Sequence, residues 1–173
     1  MLFQEETAPE TADPHAGPRA GMAYPALIDR ICEINKTVPE PDAHERCELT
    51  IDGTLFTLVP MAVDEKKIVG LTYYADIAPM PPGNEREAMA IRLLETNVYL
   101  TSREAPSFCV DPRNGHALLA GCMALDALTP ESAHNYLRGV AVYAGGLREA
   151  QFAPEDIPSS LGPSPEASGA RQF

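Results

Sequence analysis

Residues 108–150 constrain the fold more than any other part of the chain, because a hairpin with two apolar faces leads directly into a helix. Asn114-Gly115 predicts a two-residue turn, since a type I′ turn needs positive φ at both central positions. That turn pairs Cys109 with Ala120. One face then carries Cys109, Leu118, Ala120 and Cys122, and the other carries Phe108, Val110, Leu119, Met123 and Leu125. Such a hairpin must be covered on both sides, by helices, a second subunit or a partner chain.

The helix that follows this hairpin has clear start signals. Thr129 is a good N-cap, Pro130 suits the first helical position, and Glu131 favours the positive end of the helix dipole. We expect this helix to run to about Gln151.

Upstream, alternating residues predict a three-stranded meander after a first helix. Residues 24–35 carry apolar side chains at helical spacing, and residues 47–59 form two alternating strands around Asp52-Gly53. Residues 68–77 alternate again and extend the meander to three strands. Pairing about Asp52-Gly53 gives one core face and one half-polar face, the latter made of Glu48, Thr50, Leu55, Thr57 and Val59.

A second helix is predicted to begin at Asn84, where Asn84 and Glu87 resemble a capping box, and to run to about Leu100. Its apolar stripe is broad enough to contact more than one neighbour, and its main members are Ala88, Ile91, Leu94 and Val98. The elements therefore predict an α+β fold of order α-βββ-α-ββ-α, with three helices and an antiparallel sheet of about five strands.

Length and charge limit the domain count and the possible ligands. A chain of 173 residues with 45% hydrophobic content is sufficient for one domain and its core. We assign that domain to residues 22–153, and expect residues 1–21 and 154–173, which are rich in proline and acidic groups, to be flexible tails. The net charge of −12 disfavours nucleic acid. With neither a signal peptide nor a membrane span predicted, we expect a cytosolic protein.

Catalytic and metal-binding patterns are weak throughout the sequence. Ser132 and His134 are two apart on a helix and do not face each other, and His116 has Asp111 only across the hairpin. A metal site of His116, Cys109 and Cys122 lacks the close ligand pairs typical of zinc. We therefore predict no catalytic residues, no metal and no cofactor. The four cysteines are expected to be reduced, although Cys109 and Cys122 could approach each other diagonally.

At this point three segments carry a resemblance to a known family. These segments are LTIDGTLFTL, AMAIRLLETNVYL and FCVDPRNGHALLAGCMALDALTPESAHNYLRGVAVYA. Through them, residues 22–152 resemble the class I chaperones of bacterial type III secretion, the Tir-chaperone family. The Leu93-Leu94-x-x-Asn97 step is among the most specific parts. Two features depart from the family: no tryptophan stands near Gln151, and the tails are long.

The resemblance implies a homodimeric chaperone in the bacterial cytoplasm. Such a chaperone binds an extended segment near the N-terminus of a secreted effector and delivers it to the export machinery, with the secretion ATPase as a further partner. The second helix and the later strands resemble the dimer-forming region. The first helix and the early meander resemble the effector-binding surface.

The residue pattern itself suggests where these two surfaces lie. A half-polar sheet face offers backbone groups and apolar side chains to an extended partner. We predict that the effector-binding groove is lined by Ile28, Ile31, Leu55, Val59, Leu71 and Tyr73. We predict that the dimer interface contains Ile91, Leu94 and Val98, which would meet their copies across a two-fold axis. The alternative is that all nine are ordinary core residues.

Two other functions stay open from the sequence. One is a small enzyme or ligand-binding domain, which would need a deep polar cavity holding His116 or His134 beside a carboxylate. The other is a chaperone-fold domain that regulates a partner protein without exporting it.

Overall fold

The computed structural model describes residues 23–64, 67–100 and 105–150, so both expected tails lie outside the described residues. The elements, in chain order, are α1 Tyr24–Ile34, β1 Cys47–Ile51, β2 Thr54–Asp64, β3 Lys67–Pro79, α2 Asn84–Asn97, β4 Ser107–Val110, β5 His116–Ala124 and α3 Pro130–Glu149, with a short 3-10 turn at Leu125–Ala127. This order confirms the predicted α-βββ-α-ββ-α fold. Within the described ranges, the helices are too short or too polar to cross a membrane.

The five strands form one antiparallel sheet in the order β1-β2-β3-β5-β4. Asp52 and Gly53, where the sequence predicts a turn, both have positive φ, 45° and 78°, as a type I′ turn requires. Ile51 consequently pairs with Thr54, and Cys47 pairs with Leu58. Because side chains alternate along a strand, this register fixes which residues of β1 and β2 share a face.

The second hairpin corrects the prediction. Cys109 pairs with Leu118 rather than Ala120, a shift of two residues. Gly115 has a φ of 73°, but Asn114 is not among the residues with positive φ, so a four-residue loop replaces the two-residue turn. The loop is closed by Asp111, whose backbone N–H donates to the His116 carbonyl at 2.9 Å and whose carboxylate accepts from the Arg113 N–H at 2.9 Å.

A shift of two residues keeps every side chain of the hairpin on its predicted face, but it separates the two cysteines. Cys122 lies four positions from Leu118, the residue that pairs with Cys109. Four positions along a strand span roughly 13 Å, which is beyond disulfide reach. The diagonal approach of Cys109 and Cys122 is therefore wrong, and both are free thiols.

Helices α1 and α3 cover one face of the sheet and form the core with it. Both helices contact each other and β3. Thr129 caps α3 as predicted, because its hydroxyl accepts from the Ser132 N–H at 3.2 Å and the Ser132 hydroxyl accepts from the Thr129 N–H at 3.0 Å. The largest fully buried side chains are Tyr24, Tyr73, Phe56, Leu27, Ile28, Ile31, Ile51, Leu58, Leu71, Ile77, Leu119 and Leu137.

Helix α2 packs beside the β4 edge rather than on the core face. Its N-cap is Gly83, with φ 66°, and the side chain of Asn84 makes no capping bond, so the predicted capping box is wrong. Asn84 is instead the first helical residue, because the glycine adopts a conformation that other residues rarely take. At the other end, Asn97 accepts from the Phe108 N–H at 2.7 Å and donates to the Phe108 carbonyl at 3.1 Å.

Candidate functional site

The second face of the sheet is not covered by α1 or α3, and we call it the open face. It carries the alternate residues of β1 to β5, which point away from the core. On β2, Leu55 is 44% exposed, and its neighbours on the same side, Thr57 and Val59, are half-buried. Other members include Glu48, Thr50, Thr72, Tyr74, Asp76, Ser107, Cys109, Leu118, Ala120 and Cys122.

A groove of about 440 Å³, the open-face groove, runs across this surface. Its lining residues are Arg46, Glu48, Leu55, Thr57, Val59, Tyr74, Asp76, Cys109, Val110, Asp111, Pro112, Arg113, Asn114 and Leu118. Strand β1 and strand β4 are the two opposite edges of the sheet. Since residues next to both edges line the same groove, the sheet curves around it, as the strand twist favours.

Charged residues of both signs stand at both rims of the groove. At one rim Arg46 pairs with Glu48, with 2.6 Å between Nη2 and Oε1. At the other rim Arg113 pairs with Asp111, with 2.8 Å between Nη2 and Oδ2. Hydrogen bonds from Arg113 hold the pKa of Asp111 down to about 2, and the positive charge of Arg46 lowers it further from across the groove. Between these charged rims the groove is lined by the apolar residues Leu55, Val59 and Leu118 and by the polar residues Thr57 and Asp76.

The structure places the six predicted groove residues in two different environments. Leu55 and Val59 line the open-face groove. The other four, Ile28, Ile31, Leu71 and Tyr73, are fully buried in the core, so in this conformation they do not line a surface groove. The register explains the correction for β3, because Tyr73 pairs with Leu58 and so shares the core face with it, opposite to Val59.

Sequence reasoning missed several groove residues, and the pairing pattern contained the signal for one of them. Tyr74 pairs with Thr57, which the sequence had already assigned to the half-polar face. Tracing that face one strand further selects Tyr74 rather than Tyr73. The contribution of residues 111–114 depends on the hairpin loop, whose length was predicted incorrectly.

The three residues predicted for a dimer interface form one exposed stripe along α2 and Val98, the residue that follows it, and we call this stripe the α2 patch. Ile91 is 49% exposed, Leu94 is 66% exposed and Val98 is 69% exposed. Leu93 instead points into the body of the protein and is buried. A contiguous exposed apolar stripe is typical of an interaction surface. Its role in a dimer stays a prediction.

The histidines considered for catalysis have other environments. His116 Nδ1 lies 2.8 Å from Asp76 Oδ2, and this pair links the ends of β5 and β3. Asp76 lines the open-face groove, whereas His116 does not. His134 Nε2 is buried without a hydrogen-bond partner among the described residues. In those same ranges, no group of three or more His, Cys, Asp or Glu side chains could hold a metal ion.

Comparison with known proteins gives matches in structure alone. No protein-family model matches the chain. No curated protein matches it in sequence.

Two solved structures share the fold. A chain in the structure of the HopA1–SchA chaperone–effector complex superposes with a TM-score of 0.52 and 17% identity, covering 73% of this chain and 93% of that chain. A chain in the crystal structure of the ExsC–ExsE complex gives a TM-score of 0.53 and 16% identity, covering 72% and 90% respectively. The three helices and the five-stranded antiparallel sheet are thus an arrangement found in a chaperone–effector complex.

Proposed function

We propose that this protein is a chaperone of the class I type III secretion kind. It binds an extended segment near the N-terminus of a secreted effector in the bacterial cytoplasm and keeps that effector competent for export. The open-face groove is the observation that carries the proposal. The fold shared with a chain of a chaperone–effector complex supports it.

The groove has the physical features that an extended peptide requires. Leu55, Val59 and Tyr74 supply apolar contact along its centre, and alternate side chains of a bound strand would meet them. The charged rims can pair with positively or negatively charged side chains of the peptide. Affinity would come from apolar burial at the centre, whereas the rims would select the sequence and direction of the peptide.

Strand β2 offers a second element of recognition. Strand β1 pairs with residues 54–58 of β2, and residues 59–64 continue beyond it. Among the described residues, none pairs with the outer edge of that continuation. Pro60 has no N–H to offer there, so a client strand would find an interrupted ladder rather than a continuous one.

The proposal extends to assembly and delivery. A second copy of the chain would cover the α2 patch, because exposed apolar area of this kind is stabilised by burial. The secretion ATPase would receive the loaded dimer. No catalytic step is part of this function.

The experiment that tests the groove compares matched charged substitutions in the full chain. Tagged protein captures a partner from the native host, mass spectrometry identifies it, and fragments map the bound segment. We expect an N-terminal segment of the partner to be sufficient, and we expect Leu55→Glu and Val59→Glu to abolish its binding. The control is Val142→Glu, on α3, where the side chain is 70% exposed and lies outside the groove.

Two outcomes would contradict the groove assignment. One is that Leu55→Glu binds the segment with unchanged affinity while circular dichroism shows a folded protein. The other is that Leu55→Glu unfolds the protein, because a residue of an open groove tolerates charge. Capture through a folded domain of a protein that is not exported would favour the regulatory alternative instead.

Among the described residues, the enzyme alternative finds support only in the His116–Asp76 pair. It requires a histidine and a carboxylate inside one cavity, and His116 lies outside the groove that Asp76 lines. Ser132 is used as a helix-capping group.

A further inference from the structure

A second groove, the α2–α3 groove, lies between α2, the end of β3 and Arg148 of α3, and has a volume of about 480 Å³. Its lining residues are Ala78, Pro79, Pro81, Glu85, Ala88, Met89, Arg92 and Arg148. Alanine, proline and methionine side chains form an apolar floor. Two arginines and one glutamate supply the charge, so the groove is locally positive on a chain whose net charge is −12.

Within the described ranges, neither Arg92 nor Arg148 forms an ion pair with a carboxylate. Hydrogen bonds orient Arg148: its Nε donates to the Ile77 carbonyl at 2.7 Å and its Nη2 to the Asp76 carbonyl at 3.3 Å, with longer bonds of 3.4 Å to the Gly53 carbonyl and the Thr54 hydroxyl. These acceptors are neutral groups, so they orient the guanidinium without neutralising it. Arg92 is exposed on α2. An acidic group placed between them would gain two favourable interactions.

This groove is separate from both surfaces described above. The residues that α2 contributes to this groove are three or four positions apart and so form one face of the helix: Glu85, Ala88, Met89 and Arg92. None of the three residues of the α2 patch lines this groove, although Ala88, which does, belongs to the broader apolar stripe predicted from the sequence. No residue of the open-face groove lines the α2–α3 groove.

We propose that the chain's own residues 151–156 dock into the α2–α3 groove, with Phe152 on the apolar floor and the Glu155-Asp156 pair against Arg92 and Arg148. The position of the chain argues for this occupant, because α3 ends at Glu149, directly after Arg148. Phe152 is the first large apolar residue beyond that end, and Glu155-Asp156 the first acidic pair. At roughly 3.5 Å per residue, Phe152 is within about 7 Å of Ala150 and Glu155 within about 18 Å.

Docking would extend the folded region past α3 and screen the positive site from other acidic segments. It would also be intramolecular, so the effective concentration of the segment would be high without any requirement for strong pairwise contacts. The inference does not depend on the proposed function.

The absence of tryptophan from the chain allows a direct test. Full-length Phe152→Trp carries a single indole, and its fluorescence reports the environment of that position. We expect emission at shorter wavelength and weaker quenching by acrylamide than in the matched control Phe173→Trp, at the far end of the same tail. Emission from Phe152→Trp identical to that from the control would overturn the proposal.

Charge variants then assign the docking site. In the Phe152→Trp background, Arg92→Glu is expected to move the emission to longer wavelength and to increase quenching, whereas Arg92→Lys should preserve both. Adding Glu155→Arg to Arg92→Glu is expected to restore part of the protection. If protection survives Arg92→Glu and Ala88→Glu alike, the indole is buried elsewhere and the assignment fails. If protection disappears on dilution, a second copy supplies the contact and the intramolecular proposal fails.

Discussion

At the scale of single residues, the close contact between Gly121 and Tyr73 has the clearest consequence. Gly121 pairs with Tyr73 across β5 and β3, and a Cβ at that position would clash with the phenol ring and hydroxyl. The Tyr73 hydroxyl lies 3.0 Å from the Tyr136 hydroxyl, so the ring is held in place. We expect Gly121→Ala to lower the free energy of unfolding by about 1–3 kcal/mol, through overpacking.

Urea denaturation followed by circular dichroism measures this change. The matched control is Gly139→Ala in α3, where an added Cβ meets nothing within 4 Å. There the substitution removes a flexible residue from a helix interior and should stabilise the protein by about 0.5–1 kcal/mol. Equal effects of the two substitutions would mean that the Tyr73 ring is free to move away.

The Asp111 carboxylate predicts a stability that depends on pH. Its pKa is lowered from 3.8 to about 2 by the Arg113 hydrogen bonds, so the folded state favours the charged form. This contribution is fully present above the unfolded pKa and is lost as the pH falls from 3.8 to about 2. Melting temperatures of the wild type and Asp111→Asn should therefore converge across that window. A gap that persists to pH 2 would indicate that the carboxylate acts through its shape alone.

The four thiols should differ in reactivity. Cys122 is exposed, whereas Cys32 and Cys47 are buried with their sulfurs 3.7 Å apart. Burial raises the pKa of both buried thiols, that of Cys47 to about 12, which keeps them in the unreactive protonated form. Iodoacetamide is expected to label Cys122 first, and Cys32 and Cys47 only in denaturant. Rapid labelling of Cys47 in the native protein would contradict the packing of α1 on β1.

At the scale of elements, asparagine side chains at the ends of two helices hydrogen-bond to the two edge strands of the sheet. Asn35, which follows α1, donates to the Thr50 carbonyl on β1 at 3.0 Å. Asn97, the last residue of α2, makes both of its bonds to Phe108 on β4. Each side chain satisfies backbone groups that an edge strand would otherwise leave to solvent or to another chain.

Asn97→Ala should therefore destabilise the β4 edge. Loss of two hydrogen bonds to a partly buried strand is expected to cost about 1–3 kcal/mol of unfolding free energy. Hydrogen exchange at the Phe108 amide should accelerate in parallel. Asn135→Ala, at an exposed position of α3, is the matched control and should change stability by less than about 0.5 kcal/mol. An unchanged exchange rate at Phe108 would show that α2 holds the edge by other contacts.

The turns and helix ends show how well local sequence signals predict the structure. Asp52-Gly53 predicts its turn correctly, because both residues take positive φ and no nearby side chain competes. Asn114-Gly115 does not, because Asp111 closes a longer loop with its own side chain and backbone. Likewise Gly83 takes the capping position that the sequence assigned to Asn84. A dipeptide gives the local preference for a turn or cap, but a competing residue nearby can change which turn or cap forms.

At the scale of the whole molecule, the candidate site was partly predictable. Alternation assigned Leu55 and Val59 to the half-polar face of the meander, and the structure leaves that face open. Leu71 and Tyr73, which were predicted for the same groove, lie instead on the buried side of β3, which is the side that α3 covers. Periodicity tells which residues share a face, but only tertiary packing determines which face the helices cover. The approach of Arg46 to Asp111 depends on sheet curvature, which no local pattern encodes.

Assembly gives the prediction that belongs to this scale. If the α2 patch is covered by a second copy, the wild-type chain should sediment as a dimer and Leu94→Glu as a folded monomer, because a buried unpaired charge at an interface is costly. Val142→Glu, equally exposed on α3, should remain dimeric. A wild-type monomer would contradict the dimer and leave the groove proposal intact.

The curvature that brings Arg46 towards Asp111 joins the first and last strands of the sheet across a single gap. A ligand lodged in that gap would bridge two hairpins that are distant along the chain. Loading would then couple their opening fluctuations, and amides in β1 and β4 would gain protection from hydrogen exchange together, although these two strands do not pair with each other.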